Sequence, residues 1–241
     1  FTKNHVKAAP VLLDQERIVS GICQAVLVNS GNANCANGEM GMENARKMTR
    51  EVADRLAIPE NLVLVSSTGV IGAPLPMEKI EEGVPRLVAA LSPAGFKDFA
   101  GAIMTTDTVP KLVHKRVDFN GTEVSFVGVA KGVGMIHPDM ATMLAYICTD
   151  ARVDAVILKQ VLVNAAHKSF NRITIDGDTS TNDTVLLLAN GDSGVNIRDA
   201  ADVARFQKVV DNISLELARM LVKDGEGATK LVEVTVRNAS S

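Results

Sequence analysis

The sequence has no tryptophan and one tyrosine, and aromatic residues make up only 3% of its 241 positions. A platform for stacked bases or sugar rings would rest on very few side chains, which argues against single-strand nucleic-acid binding. Charge of one sign is missing too: 25 Lys and Arg against 28 Asp and Glu leave a formal net charge of -3. No whole-chain field exists to draw in nucleic acid or an acidic membrane surface. The three cysteines, Cys23, Cys35 and Cys148, are an odd number without metal-ligand spacing. They read as reduced, buried thiols of a cytoplasmic protein rather than as a disulfide framework. No apolar run approaches the roughly 18 residues of a membrane span, and the start carries no secretory-signal pattern. The chain opens on Phe1 rather than Met, which reads as a trimmed or processed product.

Several catalytic signatures are also missing. There is no G-x-S-x-G elbow for a serine hydrolase. His5, His114, His137 and His167 are scattered, and neither H-E-x-x-H nor C-x-x-C offers metal geometry. A calcium loop starting at Asp176 would need Gly and a bidentate Glu at its sixth and twelfth positions, where Thr181 and Leu187 stand. Gly132 and Gly134 lack the third glycine of a dinucleotide fingerprint, and no phosphate-binding G-x-x-x-x-G-K-[ST] occurs.

What is present is a large apolar fraction, 46%, enough for one large domain or two small ones. The pattern predicts buried strands over 22–29 and 61–65, a helix over 42–56, and a second helix over 77–91 whose middle is disturbed by Gly83 and Pro85. Two β-rich runs flank Asn120-Gly121, the dipeptide of a type I′ hairpin turn. A strand over 142–149 follows, then a helix over 154–168 and a strand over 185–190. Asp199 caps a helix with Val203, Phe206, Val210, Ile213, Leu217 and Met220 on one face. The alternating "LVEVTVRN" at 231–238 reads as a closing strand. Hairpins and paired helices without regular strand-helix alternation favour an α+β layered sandwich.

Two stretches bear on chemistry. In "SSTGVIG", 66–72, the Gly69 amide and Thr68 hydroxyl suit a developing oxyanion, but an ordinary turn explains the same residues. In "KGVGMIHPDMATMLAYICTD", 131–150, dense turn chemistry runs straight into a strand that opens with Thr142. Threonine is common in strands for its β-branched shape. Its hydroxyl becomes a useful nucleophile when a base adjoins it, and an N-terminal threonine supplies that base as its own α-amine. Both readings of Thr142 stand at this level.

Taken together and in order, "FTKNHVKAAPV", "VLVNSGNAN", "SSTGVIG", "IMTTDT", "KGVGMIHPDMATML", "FNRITIDGDTSTNDTV" and "DGEGATK" resemble the ornithine acetyltransferase family almost end to end. The resemblance implies an αββα-type sandwich, similar in site architecture to N-terminal nucleophile hydrolases. It implies self-cleavage between Ala141 and Thr142, giving an α-chain region 1–141 and a β-chain region 142–241 headed by the nucleophile Thr142. The implied reaction moves acetyl from N-acetylornithine to glutamate through an acetyl-threonine, with acetyl-CoA as a further substrate in some members. Thr68 and Gly69 match the oxyanion hole, and Thr105, Lys131, Thr142 and Glu226 match substrate-binding positions. A lysine can hold a carboxylate and a glutamate an amine; on chemistry alone, a solvated lysine and a turn glutamate fit as well. The resemblance implies no metal or bound organic cofactor, and an assembly of two α and two β chains. It also implies further chain at both ends, the C-terminal part contributing an Asn and a Thr. Related self-cleaving aminopeptidases, which use an N-terminal serine, and a non-catalytic fragment are the competing readings.

Overall fold

The computed structural model describes residues 1–137 and 143–238. Its first half forms α1 (Ala9–Arg17), β1 (Ala25–Asn32), α2 (Gly38–Leu56), β2 (Val63–Val70), α3 (Met77–Ala89) and α4 (Phe96–Ala102). There follow β3 (Lys111–Phe119), β4 (Thr122–Lys131), β5 (Leu144–Thr149), β6 (Arg152–Val153), α5 (Ala155–Lys168), β7 (Thr184–Ala189), β8 (Asn196–Ile197) and α6 (Ala200–Lys223). Asn120 and Gly121 take φ of 55° and 89°, the paired positive values that a tight hairpin between β3 and β4 requires. β4 pairs antiparallel with β5, and β5 pairs in parallel with β7, making a four-stranded sheet. β1 and β2 form a separate parallel pair.

Side-chain alternation along these strands builds the layers. Ala145 and Ile147 of β5, with Val185 and Leu187 of β7, join Phe206, Val210, Ile213 and Leu217 of α6 in one core. The intervening Leu144, Tyr146 and Leu186 face the other way and meet Leu64 of β2 in a second core. Val63 and Val65, on the opposite face of β2, pack on Leu13 of α1, Met48 and Val52 of α2 and Val84 of α3. The resulting order of helices, sheet, sheet and helices is the α+β sandwich expected from the sequence.

Asp14 of α1 is fully buried in this arrangement, where one oxygen accepts the Val65 N–H of β2 at 2.9 Å and the other has no partner among the described residues. Burial, only partly opposed by that hydrogen bond and by Arg17, pushes its carboxyl up to about 8.

Several boundaries differ from expectation, each for a physical reason. β1 begins at Ala25 and β2 continues to Val70, so Thr68 and Gly69 lie in the strand rather than in a turn after it. Parallel pairing through Gly31 and Gly69 carries the ladder that far, to an irregularity at Asn32. α3 runs through Gly83 and Pro85 without a break. On α6, Leu221 is buried and Met220 is partly exposed, because a helical period of 3.6 carries the face from Leu217 to the fourth residue on. Residues 231–238 form no strand: Leu231, Val232, Val234 and Val236 are exposed, and no described strand pairs with them. Alternation supplies an apolar face, but a strand also needs a neighbour to complete its hydrogen bonds. The start of the 142–149 strand falls partly outside the described residues, and the strand is seen from Leu144. No described helix is long and apolar enough to cross a membrane.

Candidate active site

A cavity of about 610 Å3 opens where the ends of β2 and β4 come together. Its lining includes Thr68, Gly69, Thr105, Lys131 and Glu226, five of the residues that the sequence nominated from four separate motifs. Thr142 and Ala141, the expected nucleophile and cleavage partner, lie outside the described residues.

Gly69 is required where it stands. Its φ of 133° disfavours side-chain-bearing residues, and a Cβ there would sit 2.2 Å from the Gly31 carbonyl carbon of β1. The close approach of these two backbones places Thr68, which is buried, at the cavity floor.

Lys131 ends β4 and is 2% exposed. Its ammonium donates to Thr105 Oγ1 at 2.8 Å and to Thr68 Oγ1 at 3.1 Å. A hydroxyl that accepts from a cation keeps its own proton free to donate, so Thr68 and Thr105 are both set up as donors. Burial, the largest influence, and the nearby Lys111 draw the Lys131 ammonium below the usual lysine range, against the pull of Asp107 and Asp183.

Beneath Lys131 lies an ionic network. Asp107 Oδ1 accepts from Lys111 Nζ at 2.6 Å and from the Gly132 amide at 2.7 Å, and its other oxygen stands 3.9 Å from Lys131 Nζ. Burial works against ionisation of Asp107, but the Gly132 amide and the two lysines outweigh it and hold the carboxyl below its ordinary value. Lys111 also reaches Asp224 Oδ2 at 2.7 Å, tying the end of α6 to the start of β3. Burying these charges is tolerable because each carboxylate has a cation and further donors.

The rim carries the opposite sign. The Glu226 amide donates to the Val133 carbonyl at 2.7 Å, and a Cβ on Gly134 would stand 3.4 Å from both Glu226 Oε2 and Asp176 Oδ2. Asp176 accepts the amides of Met135 and, at 2.8 Å, Ile136. Burial opposes its ionisation, but the amides of Asp178, Met135 and Ile136 prevail and keep the carboxyl below its ordinary value. A lysine at the floor and carboxylates at the rim suit a small molecule bearing both carboxylate and ammonium groups.

A model of the ArgJ family matches residues 1–241. The chain belongs to the ArgJ family. It is 54% identical to the arginine biosynthesis bifunctional protein ArgJ of Geobacter sulfurreducens, across 100% of this chain and 62% of that protein. The ArgJ of Symbiobacterium thermophilum is 50% identical across 100% of this chain and 60% of its own length. The chain thus spans about three-fifths of these relatives. Among solved structures, ArgJ of Bacillus halodurans superimposes with a TM-score of 0.53 at 44% identity, covering 59% of this chain and 74% of that one. Ornithine acetyltransferase of Mycobacterium tuberculosis, solved in complex with ornithine, gives 0.50 at 36% identity, covering 57% and 74%.

Sequence reasoning missed Asp107, Lys111, Asp224 and Asp176 as parts of this ArgJ-family site. Asp107 and Asp224 sat inside motifs already singled out, but only the fold shows that they share Lys111.

Proposed function

We propose that this chain carries the acyl-transfer centre of an ornithine acetyltransferase, moving acetyl from N-acetylornithine to glutamate in arginine biosynthesis. The observation that carries this reading is the convergence of Thr68, Gly69, Thr105, Lys131 and Glu226 on one cavity. The names of the ArgJ relatives, and the ornithine bound to the mycobacterial enzyme, support the substrate class.

In this mechanism the precursor first cuts itself. Thr142 Oγ attacks the Ala141 carbonyl, the amide nitrogen leaves as the Thr142 α-amine, and water hydrolyses the ester so formed. Residues 1–141 and 142–241 then form separate chains. The β4–β5 ladder, in which Phe126 pairs with Thr149 and Lys131 with Leu144, joins the two regions without a covalent link.

In transfer, Thr142 Oγ attacks the acetyl carbonyl while its proton passes to the α-amine. Thr68 and Gly69 stabilise the oxyanion, and losing one such donor costs on the order of a hundredfold in rate. Collapse expels ornithine, whose nitrogen takes the proton, and leaves acetyl on Thr142. The amine of glutamate then attacks the ester, giving N-acetylglutamate and free Thr142. This double displacement has ping-pong kinetics. Lys131 holds a substrate carboxylate and Glu226 a substrate amine. The steps call on no metal or organic cofactor, and the cut chains assemble as two α and two β chains.

Intact mass under denaturing conditions tests the reading first. Two chains ending at Ala141 and starting at Thr142 are expected, with acetyl transfer from N-acetylornithine. An uncut chain, or a cut one that releases amino acids from peptides without transferring acetyl, would count against it.

A further inference from the structure

A residue at a chain terminus is tethered by covalent bonds on one side only, and such ends lose order unless they are tied down. Thr142 becomes a terminus on cleavage under the functional reading above, on which this inference rests. The bond it keeps in both precursor and product is the one to the Met143 nitrogen, so whatever holds that amide holds the nucleophile.

The structure shows what holds it. Met143 is buried, and its N–H donates to Asp183 Oδ1 at 3.0 Å. Its carbonyl accepts the Thr184 N–H at 3.2 Å, one residue further on at the start of β7. Asp183 is itself fully buried, and its backbone carbonyl accepts the Thr2 N–H at 2.9 Å. The neighbouring Asn182 donates from its side chain to the carbonyls of Ser67, at 2.8 Å, and Ala33, at 2.7 Å. One short stretch therefore grips both the residue after Thr142 and the residue before Thr68.

We propose that Asp183 is a positioning residue for the nucleophile: by accepting the Met143 N–H, its buried carboxyl fixes the amide that follows Thr142. In this role Asp183 acts through the Met143 amide, before and after cleavage alike. Burial drives its carboxyl well above the ordinary range, while the Met143 amide, the Ser180 hydroxyl and Lys131 pull the other way. No group among the described residues is in hydrogen-bond geometry with Oδ2. An asparagine keeps the acceptor that this role needs, because its amide oxygen can take the same Met143 N–H.

The test compares Asp183→Asn with Asp183→Ala in the full chain, following self-cleavage by intact mass and acetyl transfer by initial rates, with Tm measured on each. Asp183→Ala is expected to slow cleavage roughly a hundredfold, the scale of a small misplacement of reacting groups, and to lower kcat with KM little changed. Asp183→Asn is expected to restore both rates to within about threefold of wild type. Where the alanine variant does not fold, Asp183→Leu removes the acceptor while keeping the same branching and number of side-chain heavy atoms. A folded Asp183→Asn variant as slow as the alanine variant overturns the proposal, because the ionisable proton would then matter rather than the acceptor. Wild-type rates in Asp183→Ala overturn it as well and leave the functional reading intact. A wild-type chain that stays uncut overturns both.

Discussion

Asp107 and Asp183 are both buried carboxylates under the influence of Lys131, with exposures of 8% and 0%, yet they are driven in opposite directions. Asp107 receives a lysine at 2.6 Å and a backbone amide at 2.7 Å on one oxygen and has a second lysine beside it. Asp183 receives one amide and leaves its second oxygen without a hydrogen bond among the described residues. Burial penalises both, and the number and charge of the donors decide which one ionises. The difference divides the site into a charged floor that can bind and polarise, and a neutral buried support suited to holding backbone.

Four measurements would break or sharpen this contrast. The largest effect is expected from Asp107→Ala, which leaves Lys111 with Asp224 alone and removes the carboxylate 3.9 Å from Lys131 Nζ. It should cost about 3–5 kcal/mol in denaturant unfolding, as breaking a buried ion pair does; a loss under about 1 kcal/mol would show that the charged floor is not held by Asp107.

Next comes Lys131→Met, which keeps the chain length but removes the cation shared by Thr68 and Thr105. Losing hydrogen bonds to a charged group costs about 1.5–3 kcal/mol, so kcat/KM for the amino-acid substrates should fall by roughly 10- to 150-fold, chiefly through KM. An unchanged KM would remove Lys131 from carboxylate binding.

Asp14 extends the neutral class, with a folded-state value of about 8 against an ordinary 3.8. Its contribution to stability is complete below pH 3.8 and is lost as pH rises toward 8, at a slope approaching 1.4 kcal/mol per pH unit for one proton. Asp107 has the reverse sign, contributing above the ordinary carboxylate range and losing that contribution as pH falls through its lowered value. Asp14→Asn should therefore flatten the decline in unfolding midpoint between pH 4 and 8. Because Asp183 shifts in the same direction, part of the decline should remain; a slope as steep as that of the unsubstituted chain would contradict the assignment.

The smallest effect is expected at Val234, which is 79% exposed and pairs with no strand among the described residues. Val234→Lys should change stability by less than about 0.5 kcal/mol, read from the same denaturant curves. A larger loss would mean that the 231–238 segment finds a partner strand.

Much of the fold was legible in local pattern. The Asn120-Gly121 turn, the Asp199 cap and most of the apolar face of α6 follow from backbone preferences and spacing, which act over a few residues. α1 escaped notice because Pro10 at its start and Asp14 inside it resemble loop chemistry; its buried aspartate is explained only by the Val65 amide on a distant strand. The strand expected at 231–238 failed for the converse reason, since alternation cannot reveal whether a neighbour exists. In the site, Thr68, Gly69, Thr105, Lys131 and Glu226 were given roles from their motifs, whereas Asp107, Asp176 and Asp183 lay inside quoted motifs without a role and Lys111 lay outside them.

What the sequence determined by itself was the set of elements, the family resemblance and which residues were candidates for chemistry, because these depend on residue type and spacing along the chain. Only the tertiary structure decided that five candidates share one cavity, that Asp107 is charged while Asp14 and Asp183 resist ionisation, and that Asp183 holds the residue after Thr142. Burial and the sign of nearby charge are properties of neighbours far apart in sequence, and the fold alone brings those neighbours together.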